Sequence, residues 1–245
     1  MRAIVDISNF RQITPGLETL RSSFSLPRHR HLHGYAIVVL AGSFEESGYI
    51  GRLRATAGDV LIHPVLDCHA NQTVSYGTKL IRLYWPDAYG ASGLHRSDEV
   101  DAIARTAEKD VTDATLYLRQ ALSRAVSSPG KCDDWPDLLA KAFTQDAAFR
   151  IGRWAEANGL ARETVSRGFA AAYGIRPSVF RAELRARQAW LRVTQSSDSL
   201  STIAAETGFA DQAHMCRWVR RITGAPPGAW RRRTITTSGC PPATF

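Results

Sequence analysis

The chain lacks any long apolar run. Its longest, Tyr35 to Ala41, falls far short of the roughly 20 residues that a membrane-spanning helix needs, and the opening MRAIVDISNF lacks the apolar segment of a signal peptide. Both absences predict a cytoplasmic protein with no membrane partner. Cysteine is sparse: Cys68, Cys132, Cys216 and Cys240 are scattered with no C-x-x-C pair, which argues against a zinc finger and a disulfide framework and predicts reduced thiols. No Ser/His/Asp or Cys/His arrangement stands out, so the chain is not read as an enzyme. What is present is ordinary for a soluble globular protein: 245 residues, 44% hydrophobic and 22% charged, a length that suits two modest domains.

The net charge of +8 is unevenly placed. Residues 1–150 carry 17 Lys and Arg against 17 Asp and Glu, whereas residues 151–245 carry 14 against 6. A neutral part joined to a basic part predicts that the basic part meets a polyanion, in the cytoplasm most often nucleic acid. Charge alone also fits a basic domain that its charge keeps soluble.

The basic part contains an imperfect repeat. WAEANGLARETVSRGFAAAYGIRP (154–177) matches IAAETGFADQAHMCRWVRRITGAPP (203–227) with one inserted residue. Ala155, Gly159 and Leu160 correspond to Ala204, Gly208 and Phe209, and Gly174 and Pro177 to Gly224 and Pro227. Each copy reads as helix, tight turn, helix, stop, which is a helix-turn-helix whose second helix fits the major groove. The outward residues of the two second helices are Arg162, Glu163, Ser166 and Arg167, and Gln212, His214, Cys216 and Arg217. Arginine pairs with guanine edges or phosphate, glutamine with adenine, glutamate with the cytosine amino group. Arg220, Arg221 and Arg231 to Arg233 read as phosphate contacts. Between the copies, Phe180, Leu184 and Leu191 share one face of a helix of about 27 Å. A helical bundle that binds no DNA would explain neither the repeat nor the arginines.

On these residues the segment from Asp146 to Arg233 resembles the AraC/XylS family of bacterial transcription regulators. The resemblance implies a sequence-specific regulator that binds a double-stranded operator as a homodimer, associates with the nucleoid when bound, and recruits RNA polymerase if it is an activator. The family's serine N-caps fall on Ala161 and Ala210 here, where a lost cap costs about 1 kcal/mol. Met215 and Val219 stand where the family prefers phenylalanine.

The neutral part is strand-like up to about Pro86. GYAIVVLAGSFEE, YIGRLRATAGDVLIHP and TKLIRLYWP are β-branched and aromatic runs between glycine turns, which predicts an antiparallel barrel or sandwich. On a strand His29, His31, His33 and Tyr35 would share a face, with His69 close by. The spacing from His29 to Gly42 and from Gly58 to His69 resembles the two cupin motifs. By that resemblance His29, His31 and His69 fall on metal-ligand positions for Zn or Fe, while Tyr35 replaces the carboxylate. The residues leave three readings open: a metal site, an effector pocket formed by His29, His31, His33, Tyr35 and His69, or structural histidines. His63 has no assigned side, and Cys68 reads as a buried small residue.

Apolar stripes at Val100, Ile103, Ala104, Ala107 and at Ala114, Leu118, Ala121, Leu122, Ala125 predict two helices that pack on the barrel, one of them a dimer interface by the resemblance. SSPGKCDDWP (127–136) reads as the hinge before a short helix through Leu138, Leu139, Ala142 and Phe143. The expected organisation is thus two-domain α+β: a cupin-like antiparallel β-barrel over 1–95, linker helices over 96–145, an all-α domain with two helix-turn-helix motifs over 146–233, and a disordered tail over 234–245. The function this predicts is a DNA-binding regulator that senses a small-molecule effector. The alternatives are a metal-dependent cupin enzyme with a DNA-binding domain, or a regulator whose barrel only dimerises.

Overall fold

The computed structural model describes residues 10–73, 77–85, 93–123, 126–128, 134–145 and 149–236. The chain divides into two compact units. Among the described residues, one holds those up to Lys141 together with Arg167–Gly174; the other holds those of 142–166 and 175–236.

The first unit is built on two antiparallel sheets. The larger runs in the order β1 (Gly16–Leu20), β8 (Thr78–Tyr84), β3 (Tyr35–Ala41), β6 (Asp59–His63), β9 (Gly93–Arg96), β10 (Val126–Ser128). The smaller runs β2 (Ser25–Arg30), β7 (Cys68–Thr73), β4 (Ser43–Gly48), β5 (Gly51–Thr56). The strand period of two sorts the apolar residues. Tyr35, Ile37 and Val39 of β3 meet Phe44, Leu53, Leu61 and Leu80 in a core between the sheets. The alternate residues Ala36, Val38, Val60, Ile62 and Ile81 face the other way, onto α1 (Val100–Ala107) and α2 (Val111–Leu122) through Ile103, Ala114 and Leu118. Burial on both faces explains why β3 is continuously apolar. The two helical stripes do pack on the sheet, while Ala125 lies outside the described residues.

Two expectations need correction here. Residues 126–128 form an edge strand paired with β9, with Ser127 opposite His95, and so the hinge cannot begin at Ser127. The strand β2 ends at Arg30, and residues 31–34 form the turn that follows. His33 is therefore exposed on the β2–β3 turn, edge-on to Tyr84 at 6.3 Å, and does not continue the row of His29 and His31. The helix α3 (Trp135–Gln145) follows as expected. Its Asp137 accepts hydrogen bonds from Arg52 Nε (3.1 Å) and from the Tyr173 hydroxyl.

The remaining helices are α4 (Ile151–Ala157), α5 (Arg162–Tyr173), α6 (Pro177–Gln195), α7 (Leu200–Glu206), α8 (Gln212–Thr223) and α9 (Pro227–Thr236). The repeat seen in the sequence reappears bond for bond. Leu160 N–H donates to Ala155 O (2.8 Å) and Phe209 N–H to Ala204 O (2.9 Å) across turns where Gly159 and Gly208 take φ of +65° and +76°. That left-handed conformation favours glycine. Gly174 and Gly224 stop α5 and α8 in the same way, at φ +72° and +75°, and Pro177 and Pro227 open the next helices. Phe180, Leu184, Trp190 and Val193 form the buried face of the 19-residue α6, with Leu191 only half-buried. Met215, Val219 and Ile222 form that of α8. The helix α9 continues to Thr236, three residues into the expected tail, and residues 237–245 lie outside the described residues.

Candidate DNA interface and sheet-interior cluster

The second helix of each repeat presents its polar face as the helical period requires. On α5, Val165 and Phe169 are buried, Arg162, Glu163 and Arg167 are exposed, and Ser166 is half-buried. On α8, Met215 and Val219 are buried, whereas Gln212, Arg217, Arg220 and Arg221 are exposed. His214 and Cys216 are half-buried. The His214 ring is held in place, since its Nε2 accepts from Trp218 Nε1–H at 3.0 Å and its face meets the Phe209 ring edge-on at 5.3 Å. Burial pushes the Cys216 thiol pKa up, so that residue offers no thiolate.

Asp211, not Ala210, caps α8. Its Oδ1 accepts from His214 N–H at 2.6 Å. Asp211, next to the position of the family's serine, therefore restores a capping side chain. On α5, Ala161 O accepts from Val165 N–H (3.0 Å), and an alanine side chain has nothing to add.

In the sheet unit, five strands and two connecting turns bring polar side chains together inside the protein. His29, His31, Tyr35, Glu46, His63, Asp67 and His69 are all buried. Register explains the gathering: Tyr35 pairs with His63 across β3 and β6, His29 with His69 across β2 and β7, and Glu46 with Asn71 across β4 and β7. Tyr35 and His63 stack with ring centroids 4.4 Å apart. The β6–β7 loop turns through Leu66 at φ +60°, a strained conformation for a branched residue, which sets Asp67 between two imidazoles.

Asp67 Oδ2 accepts from His63 Nδ1–H (2.9 Å) and from His69 Nδ1–H (3.3 Å). His69 Nε2 is therefore left as an acceptor, and the Tyr35 hydroxyl donates to it at 3.0 Å. His29 Nδ1–H donates to Pro27 O (2.9 Å) and His31 Nδ1–H to Arg11 O (2.8 Å). All four imidazoles thus have Nδ1–H anchored from the outside, which makes Nε2 the lone-pair nitrogen of each neutral ring.

Burial dominates the charge states. It holds His29 below its ordinary pKa, His31 down at about 3, and His69 well below. Burial also pushes Glu46 up to about 7. His63 is the exception: burial opposes its charge, but Glu46 and Asp67 outweigh that and raise its pKa. Asp67 also resists its burial, since hydrogen bonds from His63 and His69 hold it well below the usual carboxylate range.

His29, His31 and Tyr35 line a cavity of about 190 Å³ between the sheets. Apolar Leu20, Phe24, Ile37 and Phe44 make up much of the remaining wall, with Arg11, Asn71 and Arg82 as further polar groups. His69 stands behind Tyr35, outside this lining, and His33 is on the surface. The three histidines that the cupin motifs single out, His29, His31 and His69, do converge: one ring nitrogen from each lies within 4.8 Å of the others. Neutral imidazoles with the opposite nitrogen anchored suit a transition metal, so this donor set fits the group the motifs imply. The sequence missed Glu46 and His63. Strand alternation carried the signal, since Glu46 shares the side of Phe44 and His63 that of Leu61.

The helical part has a known counterpart. Residues 154–233 match a protein-family model described as a helix-turn-helix domain, and this segment is an AraC-type helix-turn-helix domain. Among solved structures, the chain is similar to ToxT of Vibrio cholerae strain SCE256 with an unsaturated fatty acid bound, at 10% identity and a TM-score of 0.39, covering 89% of this chain and 94% of that one. It is also similar to the DNA-binding domain of the global transcriptional factor AdpA in complex with a target DNA, at 23% identity and a TM-score of 0.40, covering 43% of this chain and 97% of that one. The C-terminal domain of the response regulator yesN from Fusobacterium nucleatum aligns at 20% identity and a TM-score of 0.36, covering 38% and 94%. The sequence matches no curated protein.

Proposed function

We propose that the protein is a sequence-specific transcription regulator whose sheet unit binds a small-molecule effector. The observation that carries this reading is the pair of helix-turn-helix units, each with arginine exposed on its second helix: Arg162 and Arg167 on one, Arg217 on the other. The exposed residues Arg162, Glu163, Arg167, Gln212 and Arg217 read base edges. Ser166, His214 and Cys216, being half-buried, contribute at the edge of the contact, and Arg220 and Arg221 hold phosphates. The effector occupies the cavity bounded by His29, His31 and Tyr35, whose mixed apolar and hydrogen-bonding wall suits a small partly polar molecule. A homodimer formed through the α1–α2 region, where Leu116 is 53% exposed, accords with the same reading.

The test is binding to a duplex selected from a random library by the parent protein. Arg217→Ala is expected to cost about 1–3 kcal/mol on that duplex and to relax the preference at one base pair. Binding of selected and scrambled duplexes just as the parent binds them would remove α8 from the recognition surface.

A further inference from the structure

We propose that Glu46, His63 and His69, oriented by Asp67, form a site for a first-row divalent transition metal, distinct from the triad that the sequence motifs single out. This inference is independent of the reading as a regulator, because it concerns what the sheet interior holds and not what the helices contact.

Three observations converge. Glu46, His63, Asp67 and His69 each bring one donor atom to within 4.8 Å of the others, and all four residues are buried. Two polar atoms of these side chains have no hydrogen-bond partner among the described residues: Glu46 Oε1 and His63 Nε2, on side chains 1% exposed. A buried carboxylate oxygen and a buried imidazole nitrogen, neither of them hydrogen-bonded, are what a bound cation would satisfy. The spacing also discriminates. His63 Nε2 lies 3.5 Å from Glu46 Oε2 without forming a hydrogen bond. Bonds of about 2.05 Å around a tetrahedral ion place neighbouring ligand atoms about 3.4 Å apart.

The outer groups are those a metal site needs. Asp67 Oδ2 takes the Nδ1–H of both His63 and His69, so one carboxylate fixes two imidazoles with Nε2 as the coordinating nitrogen. Asn71 Nδ2–H donates to Glu46 Oε2 at 2.8 Å and fixes that carboxylate in turn. Two imidazoles and one carboxylate make a mixed nitrogen and oxygen set, which selects Zn²⁺, Fe²⁺ or Mn²⁺ over Ca²⁺ or Mg²⁺. The first-motif position that holds Tyr35 lacks a carboxylate, and Glu46 supplies one from a different strand. The ion also reaches the effector cavity through Tyr35. Coordination at His69 Nε2 takes the lone pair that the Tyr35 hydroxyl now uses, and so it frees that hydroxyl for a molecule in the cavity.

The experiment is elemental analysis of the full chain, loaded separately with Zn²⁺, Mn²⁺ and anaerobic Fe²⁺ and then freed of unbound ion by gel filtration. Four proteins are compared: the parent, Glu46→Gln, His63→Gln and the double variant His29→Ala, His31→Ala. The inference expects about one ion per chain in the parent and in the double variant. It expects at least a tenfold weaker retention in Glu46→Gln and His63→Gln. Circular dichroism checks that each variant folds. The melting temperature with and without Zn²⁺ gives a second readout, rising in the parent and unchanged in Glu46→Gln, whose amide keeps the shape of the carboxylate. Retention of no ion by the parent would overturn the site. So would loss of the ion in the His29→Ala, His31→Ala protein, which would return the metal to the motif-defined triad. Neither outcome touches DNA binding, so failure here and failure of the regulator reading are told apart.

Discussion

Tyr35 sits where three demands meet. Its ring stacks on His63, its hydroxyl closes the hydrogen-bond requirement of His69, and its edge lines the cavity. Burial and the nearby Glu46 and Asp67 raise its pKa well above the ordinary phenol value, so it stays a neutral donor. Tyr35→Phe keeps the packing and leaves His69 Nε2 as a buried acceptor without its donor. The expected loss is about 1–2 kcal/mol of unfolding free energy, measured by urea denaturation of the apoprotein. An unchanged midpoint would mean that the hydroxyl contributes nothing to the fold. Legibility at this scale was partial. His29, His31, Tyr35 and His69 could be read from their motif spacing, and all are buried in the cluster. His33 was drawn in by the same alternation, because nothing in HRHLHGY marks where the strand ends. Glu46 and His63 were hidden for the opposite reason: neither belongs to a row of like residues, and the inward side of each shows only once the apolar neighbours Phe44 and Leu61 are known to face the core.

At the scale of elements, the two repeats differ at one place that matters for stability. The second helix α8 begins with a side-chain cap from Asp211, and α5 begins at Ala161 without one. Asp211→Ala should therefore lower stability by about 1 kcal/mol, and Ala161→Asp should raise it by about 0.5–1 kcal/mol. Thermal unfolding of the two variants beside the parent checks both signs at once. Equal effects in the same direction would mean that the caps do not limit these helices. The repeat itself was the most legible feature of the chain, since glycine stops, proline starts and a 3.6-residue period are local signals that each copy states independently. The edge strand Val126–Ser128 was the least legible: Ser-Ser before Pro-Gly reads as a loop, and its strand conformation comes from pairing with Gly93–Arg96, far away in sequence.

For the molecule as a whole, charge is the property that the halves do not share. The excess of +8 falls within residues 151–245, and Arg162, Arg167, Arg217, Arg220 and Arg221 are exposed there. A polyanion that gathers these groups releases its condensed counterions, so affinity for any duplex should fall steeply with salt. With about 6–10 phosphate contacts the loss between 50 and 200 mM salt is about 10³–10⁵-fold. The sequence-reading and phosphate-holding arginines then separate by experiment. Arg220→Ala should weaken selected and scrambled duplexes alike and flatten the slope of log K against log salt by about 1, leaving their ratio unchanged. Arg217→Ala should shrink the ratio. Arg221 stands between these cases, because its guanidinium lies 4.9 Å over the Trp218 ring and is held in one direction. Its replacement by lysine keeps the charge but loses the planar stack, so the salt slope should stay as in the parent while affinity drops. If Arg220→Ala instead altered the ratio and left the slope intact, that arginine would be reading bases and the division of roles along α8 would have to be redrawn.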